Sequence, residues 1–413
     1  MVDSSVRHSS QASFYEFFAG GGMVRAGLGE GWTCRFANDF DPAKAEAYRA
    51  NWGDAGLHVG DIAGLSAADL PGRADLMWGS FPCQDLSLAG MGGGLNGSRS
   101  GTFHDFWGLV RSLAAQGRAP RLVAVENVCG ALTSHGGRDF EVICRTFADA
   151  GYRCGALVIN ADRFLPQSRP RLFVIGVRDD AALDPALTMP AAAGAFHPPA
   201  LRRAMSQLPV ELRDRMVWWR LPEPETRSAG LASVIETEAL GVRRHSEAET
   251  HRLLALMSPK NLAKVEAARR TGQTCVGGLY RRTRRDAAGL RVQRAEVRFD
   301  IAGCLRTPAG GSSRQTLLVV EGGRVWSRLM SARETARLMG LPDSYRLPGS
   351  YSAACHLTGD GVAVPVVRHL AQWLLEPLLV PSAGGLIGAL AKAVQGGIMA
   401  TRDPGIGDLG MSS

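Results

Sequence analysis

The chain has 413 residues, of which 45% are hydrophobic and 21% charged, and its 47 lysines and arginines against 39 acids leave a net charge of +8. That composition excludes wholesale disorder, and at ~150 residues per domain the length allows two or three domains. No apolar run reaches the ~18 residues of a membrane span. The opening MVDSSVRHSSQASF lacks the apolar core of a signal peptide, and the eight cysteines form no CxxC pair. They read as the reduced thiols of a cytoplasmic protein, with no disulfide and no metal expected.

In chain order, Ser13–Phe18 reads as a strand that runs into Ala19-Gly20-Gly21-Gly22, and MVRAGL then opens a helix. Trp32–Ala37 ends at Asn38-Asp39, and DPAKAEAYRANW follows as a helix. Leu57–Val59 ends at Gly60-Asp61-Ile62, Ala74–Trp78 at GSFPCQ, and Arg121–Val125 at Glu126-Asn127. Tyr152–Asn160 and Arg171–Val177 read as a final antiparallel pair. Strands alternating with helices predict an α/β fold, a doubly wound, mostly parallel sheet with ligands beyond the carboxyl ends of its strands. The beat stops near Asp179 in an alanine- and proline-rich stretch, and from about 186 to 325 arginine becomes dense. Only four cations of the whole chain are lysine, and Tyr280–Phe299 holds seven arginines against two acids. Planar guanidinium forks suit phosphate and guanine, so the placement points towards nucleic acid. Ser331–Tyr345 reads as a short helix and a proline turn, and GVAVPVVRHLAQWLLEPLL as a terminal helix; the glycine-rich tail after residue 380 has few anchors.

The polar motifs fall at the strand ends. Phe18–Leu28 is a glycine-rich strand-to-helix turn without the GxGxxG spacing of dinucleotide enzymes or the lysine of an NTPase loop. An acid such as Asp39 at the end of the second strand can hold both hydroxyls of a ribose. Phe40 beside it can stack on an adenine, and Asp61 can accept from an adenine amino group. Cys83, in a turn after a strand and before a glycine-rich loop, fits a nucleophile under a lid. Glu126, ending an apolar strand, is expected to be semi-buried and inclined to share a proton with a ring nitrogen. Arg169 and Arg171 flank Pro170 as a rigid donor pair for a carbonyl oxygen and a phosphate.

Taken in order, FAGGG, NDFD, GDI, FPCQ, ENV, QSRPR, RETARLMGLPDSY and GDGVAVPV resemble the motifs of the DNA (cytosine-5) methyltransferases, over roughly residues 13–178 and 300–380. The resemblance implies an S-adenosylmethionine-dependent methyltransferase fold with a smaller, irregular target-recognition domain. The implied division is 13–185 for the first part of the catalytic domain, 186–325 for recognition, 326–380 for the return and 381–413 for a poorly ordered tail. It implies methyl transfer to carbon 5 of a cytosine flipped out of duplex DNA, through a covalent bond from Cys83 to carbon 6. Glu126 would hold N3 and the amino group, Arg171 the O2 oxygen, and Arg169 the loop or a phosphate. Phe18, Ala19, Gly20, Gly22, Asp39, Phe40, Asp61, Ile62, Phe81, Asp360 and Val362 would hold S-adenosylmethionine. Gln84, Ser87, Arg99, Arg281, Arg282, Arg284, Arg285 and Arg306 would touch double-stranded DNA, and the loop Leu88–Arg99 would close over the base.

One residue departs from the family's pattern. The last motif has Asp360 where such chains usually carry Asn, and a carboxylate there could repel the cofactor's own carboxylate or favour its ammonium. A bacterial modification enzyme follows, cytoplasmic and at the nucleoid, either solitary or beside a separately acting restriction endonuclease. The same fold acting on RNA is the second reading, against which the roughly 140-residue recognition segment argues. A non-enzymatic relative would usually lack the cysteine or the glutamate, and a nucleotide-dependent oxidoreductase leaves Cys83 and Arg171 unexplained.

Overall fold

The computed structural model describes residues 11–81, 101–227, 229–285, 289–307 and 314–380, and of Arg284 its backbone. The first half alternates as expected: β1 (Ala12–Phe17), α1 (Met23–Leu28), β2 (Trp32–Asp39), α2 (Pro42–Trp52), β3 (Leu57–Val59), β4 (Leu76–Gly79), α3 (Thr102–Ala115), β5 (Leu122–Val128), α4 (Arg138–Asp149), β6 (Tyr152–Asn160) and β7 (Pro170–Arg178). These strands form one sheet in the order β3-β2-β1-β4-β5-β7-β6. Its first five strands run parallel, and β7 is antiparallel to both β5 and β6. The inner strands β4 and β5 are buried almost throughout because helices cover both faces. One face is closed by α3, whose Phe103, Phe106 and Trp107 are fully buried, and the other by a core that includes Phe14, Trp78, Ile175 and the C-terminal helices.

Local signals start the helices. Asp41 caps α2, its carboxylate accepting from the amide of Ala43 at 2.9 Å, and Pro42 fills the first turn. Gly22, at φ +75°, turns the chain from β1 into α1, a conformation that a side chain would strain.

After β7 come β8 (Thr188–Met189), α5 (Pro199–Gln207), α6 (Val210–Arg213) and β9 (Trp218–Trp219), which stay with the large sheet. Trp219 donates to the Ile175 carbonyl at 3.1 Å, and Leu201 and Leu212 join the α3 side of the core. The helices α7 (Glu247–Ala255) and α8 (Pro259–Arg270) then precede β10 (Cys275–Arg285), β11 (Arg291–Phe299), β12 (Thr316–Glu321) and β13 (Arg324–Leu329). Where the sequence reads as irregular, the structure has a regular antiparallel sheet in the order β11-β10-β12-β13. Its register carries the explanation: β12 is buried on both faces, Leu318 and Val320 against Met257, Val265 and Ala268, and Leu317 and Val319 against the main core.

The chain returns through α9 (Ala332–Arg337), α10 (Tyr351–Asp360), α11 (Val364–Leu370) and, after a π turn over Ala371–Leu375, α12 (Glu376–Leu379). The returning helix packs on α1, so closely that a Cβ added at Gly27 would lie 2.4 Å from that of Val367. Among the described residues no helix is long and apolar enough to cross a membrane.

Candidate active site

Two groups of side chains gather at the carboxyl ends of the parallel strands. The first surrounds the glycine-rich turn after β1. Phe18, non-glycine, sits at φ +58°, and Gly20 at φ +55°; strained backbone of this kind is characteristic of functional turns. A Cβ at Gly20 would meet nothing within 4 Å, so the turn presents bare backbone to open space. From below it is fixed by contacts far apart in sequence: Tyr345 Oη and Trp52 Nε1 both donate to the Gly21 carbonyl, at 2.7 and 3.0 Å.

At the end of β2, Asp39 is buried and accepts the Gly20 amide at 2.7 Å and the Asp41 amide at 2.9 Å. Each oxygen keeps a further lone pair. Burial pushes the Asp39 carboxyl upward, against the pull of Lys44 and the two amides. Phe40 next to it is 73% exposed, a large bare ring at a strand end. Asp61 is exposed after β3 and accepts the Ala63 amide at 3.0 Å. Ala19, Ile62, Phe81 and Val362 are buried beneath these groups, with Phe81 set edge-on against Phe103. The open glycine turn, the exposed ring and the two carboxylates on adjacent strand ends fit an adenosine-bearing group.

Asp360, the departure noted above, closes this corner from the end of α10. Its carboxylate is paired with Lys44 at 2.7 Å and accepts the Thr307 hydroxyl. The ammonium is raised above its usual value by Asp360 and then Asp39, burial working the other way. The negative charge of Asp360 is therefore met by a cation.

The second group lies on β5 and β7. Residue 126 is inside β5, since pairing with β7 carries the strand on to Val128, opposite Arg171. Glu126 and Arg171 are thus diagonal neighbours on one face, and Arg171 Nε lies 3.1 Å from Glu126 Oε1 with both side chains largely buried. Burial raises the Glu126 carboxyl, opposed by Arg171, Arg169 and a hydrogen bond from Ser80. Burial thus favours the protonated form of this acid, and the guanidinium beside it favours the charged one.

Arg169 does not stand beside Arg171 as a second outward donor. It precedes β7, is 2% exposed, and donates to the carbonyls of Leu305, Gly359 and Gly361 at 2.8, 2.9 and 2.6 Å. It ties β7 to the returning segment. Gln167, fully buried, does the same work, donating to Leu338 O at 2.7 Å and accepting from Leu305 N at 3.1 Å. Residues 302–307 form a seam from this corner to the Asp360 corner.

Three residues of the site are missed by reading the sequence. Gln167 stood inside a motif without a role. Cys304 lies 3.4 Å from Arg169 and 3.8 Å from Arg171, and these cations outweigh burial and hold its thiol below the usual value. No motif marks it. Lys44 had a signal: it is one of only four lysines in a chain that otherwise uses arginine.

Of the proposed DNA contacts, Arg281, Arg282 and Arg285 are exposed on β10, Arg284 lies on the same strand, and Arg306 is exposed on the seam. Cys83, Gln84, Ser87, Arg99 and the loop Leu88–Arg99 fall outside the described residues.

The family profile of C-5 cytosine-specific DNA methylases matches residues 12–376. The chain is similar to the Type II methyltransferase M.HhaI of Haemophilus parahaemolyticus, 27% identical over 373 residues, 90% of this chain and 96% of that protein. It is also similar to M.NgoBI of Neisseria gonorrhoeae, 26% identical over 86% of this chain and 90% of the relative. Among solved structures, the Entamoeba histolytica methyltransferase EhMeth matches with a TM-score of 0.56 at 14% identity, covering 90% of this chain and 99% of that one. The S. pombe Dnmt2 methyltransferase matches at 0.51 and 17%, over 89% and 99%. At these identities the structures speak for the fold alone. Enzymes of the matched family methylate cytosine at carbon 5 with S-adenosylmethionine as the donor. The match takes in both sheets and the returning helices, and the chain belongs to the C-5 cytosine-specific DNA methylase family.

Proposed function

We propose that this enzyme methylates a cytosine flipped out of duplex DNA, and that Cys83, Glu126 and Arg171 carry the chemistry. The observation that supports the reading best is the Glu126–Arg171 pair, 3.1 Å apart at the carboxyl end of β5, beside β4, the strand that precedes Cys83 in sequence. A carboxyl and a guanidinium held side by side match the edge of a cytosine: Glu126 shares a proton with N3 and accepts from the amino group, and Arg171 donates to O2. These contacts draw electrons from the ring as the Cys83 thiolate forms a bond to carbon 6. The electron pair displaced to carbon 5 attacks the methyl group; a base then takes the carbon 5 proton, the ring double bond re-forms, and the thiolate leaves. S-adenosylmethionine, when bound, supplies the electrophilic methyl. Phe40 would cover its adenine, Asp39 its ribose and Asp61 its amino group, with Phe18, Ala19, Gly20, Gly22, Ile62, Phe81 and Val362 shaping the cleft. Lys44 and Asp360 would face the charged amino-acid end. Arg169 acts as a positioning residue, fixing Arg171 and the seam. None of this reaches a stacked base, so the cytosine must leave the helix at a cost of a few kcal/mol.

Residues 186–325 would supply recognition and contact DNA through Arg281, Arg282, Arg284, Arg285 and Arg306, with Gln84, Ser87 and Arg99 near the flipped base. The work would be done on bacterial nucleoid DNA in the cytoplasm, with or without a partner endonuclease. The test uses the full chain, S-adenosylmethionine and a random-sequence duplex pool made with 5-fluorocytosine. Fluorine cannot leave as a proton does, so an SDS-stable adduct is expected, absent in Cys83→Ala and slowed about 100-fold or more in Glu126→Gln. An undiminished adduct in Cys83→Ala overturns the assignment.

A further inference from the structure

The seam of residues 302–307 carries a cysteine to which the chemistry above gives no part. The backbone is pinned on both sides of Cys304. The Ala302 amide donates to Pro166 O at 2.8 Å, the Ser168 amide to Ala302 O at 3.0 Å, and the Leu305 amide to Gln167 Oε1 at 3.1 Å. The Gln315 side chain donates to the Cys304 carbonyl at 3.4 Å. A single side-chain rotor on a backbone held this firmly gives the sulfur a defined place.

Two guanidiniums converge on that sulfur. Arg169 Nη1 lies 3.4 Å from it, and Arg171 Nη1 and Nη2 lie 3.8 and 3.9 Å away. Arg169 is buried, and a buried charge is costly unless an anion meets it. Among the described residues no carboxylate pairs with Arg169, three carbonyls take Nη1 and Nη2, and Nε has no partner. The group touching it that can become an anion is the Cys304 sulfur. A neutral thiol would donate to Leu305 O, 3.3 Å away, but that carbonyl already accepts Arg169 Nη1 at 2.8 Å. Burial pushes the thiol up, yet Arg169, then Arg171 and Arg306, outweigh it and hold it below its ordinary value. The other ionisable groups around this corner leave the sulfur to the cations: Glu126 is paired with Arg171, Asp360 with Lys44, and burial raises the Tyr280 hydroxyl. Cys129, also near Arg171, is by contrast pushed up to about 11 by burial.

We propose that Cys304 is a positioning residue: its sulfur, as the thiolate, is the buried anion between Arg169 and Arg171, and it holds the Arg171 guanidinium beside Glu126 where the cytosine oxygen is bound. The proposal rests on reading Arg171 as the group that meets that oxygen. Arg171 is then held along its whole fork, by Glu126 at Nε, by the Pro170 carbonyl at Nη1, 3.0 Å away, and by the sulfur at both Nη atoms. A flexible side chain held from several sides loses its rotamer freedom before the substrate arrives, which is where a positioning contact contributes to rate.

The experiment has two readouts on the full chain. The first titrates the ultraviolet absorbance of thiolate in Cys83→Ala and in Cys83→Ala with Cys304→Ser; the difference is the ionisation of Cys304 alone, expected below the ~8.5 of an ordinary thiol. The second measures methyl transfer from S-adenosylmethionine to a random-sequence duplex pool. Cys304→Ala is expected to lower kcat about tenfold and to move KM for DNA less than about twofold. In an Arg171→Lys background the same change is expected to cost less than about twofold, because the side chain that the sulfur positions is gone. Thermal melting of every variant in parallel separates lost positioning from lost folding. A wild type that methylates no duplex fails the parent reading. With an active wild type, a Cys304 that titrates at ~8.5 or above, or costs at Cys304 and Arg171 that simply multiply, overturns this proposal alone.

Discussion

The glycine turn is held by a residue more than 300 positions away, and a double-mutant cycle reads that contact directly. Gly21 has no need of a left-handed backbone, so its replacement is a purely steric test. A Cβ there would lie 2.2 Å from Tyr345 Oη and 2.9 Å from Leu357 Cδ1. The hydroxyl must withdraw by more than 1 Å, on the order of the distance to ordinary contact, and its 2.7 Å bond to the Gly21 carbonyl is lost. Overpacking costs about 1–3 kcal/mol and the hydrogen bond about 1, so Gly21→Ala should destabilise by roughly 2–4 kcal/mol. Tyr345→Phe alone should cost about 1 kcal/mol or less, because Trp52 still donates to the same carbonyl. In the double variant the oxygen that clashed is gone, and the nearest contacts are the leucine methyls at 2.9 and 3.3 Å, which can shift. The double variant should therefore be more stable than the two single costs predict, by about 1–2 kcal/mol. Urea unfolding of the four proteins measures the coupling, and titration with S-adenosylhomocysteine shows whether affinity follows, tenfold per ~1.4 kcal/mol. Costs that add to within ~0.5 kcal/mol would refute the argument that Tyr345 is the obstacle.

Two further outcomes follow from charges around the same turn. Asp360→Asn is expected to change S-adenosylhomocysteine affinity by less than about threefold, because Lys44 already meets the carboxylate. Lys44→Met, which leaves Asp360 without its cation, is expected to weaken it about tenfold; equal effects in the two titrations would remove Lys44 as the compensating charge. Glu16 is wholly buried on β1, and burial, opposed chiefly by Arg25, pushes its carboxyl up to about 8 from 4.5. The folded state then holds a proton that the unfolded state has lost, so Glu16 removes stability as pH rises from about 4.5 to about 8 and no more above that. Unfolding of Glu16→Gln across this range should show a flatter profile than the wild type; parallel profiles would sink the assignment.

How much of this was legible in sequence depends on the reach of the contacts. The parallel strands announce themselves because each is a short apolar run that ends in polar or glycine-rich residues, and that pattern is local. Tyr152–Asn160 was bounded to the residue for the same reason. Glu126 was placed just past its strand because ENV breaks the apolar run; pairing with β7 keeps it inside. The second sheet was invisible because β10 opens on Cys-Val-Gly-Gly and continues in arginine, a poor strand by composition. It becomes one through β12, whose buried faces are decided by helices some 50 residues away. Asp360 stands out against its motif, but its pairing with Lys44 does not show in sequence, since the two are 316 positions apart.

Arginine itself teaches the same distinction. Arg169 and Arg171 are two residues apart and looked like one device. Alternation puts i and i+2 on one face only within a strand, and β7 begins at Pro170. Arg169 therefore escapes the alternation and turns inward to three carbonyls, while Arg171 stays on the face of Glu126. Arg328, 3% exposed, is likewise spent inside, in a two-bond pair with Glu334. A guanidinium can be buried this way because its planar fork reaches several fixed oxygens at once, which a lysine ammonium does less well. The net charge of +8 counts these internal forks alongside the exposed arginines of β10, so the total by itself says little about how much positive charge the surface presents.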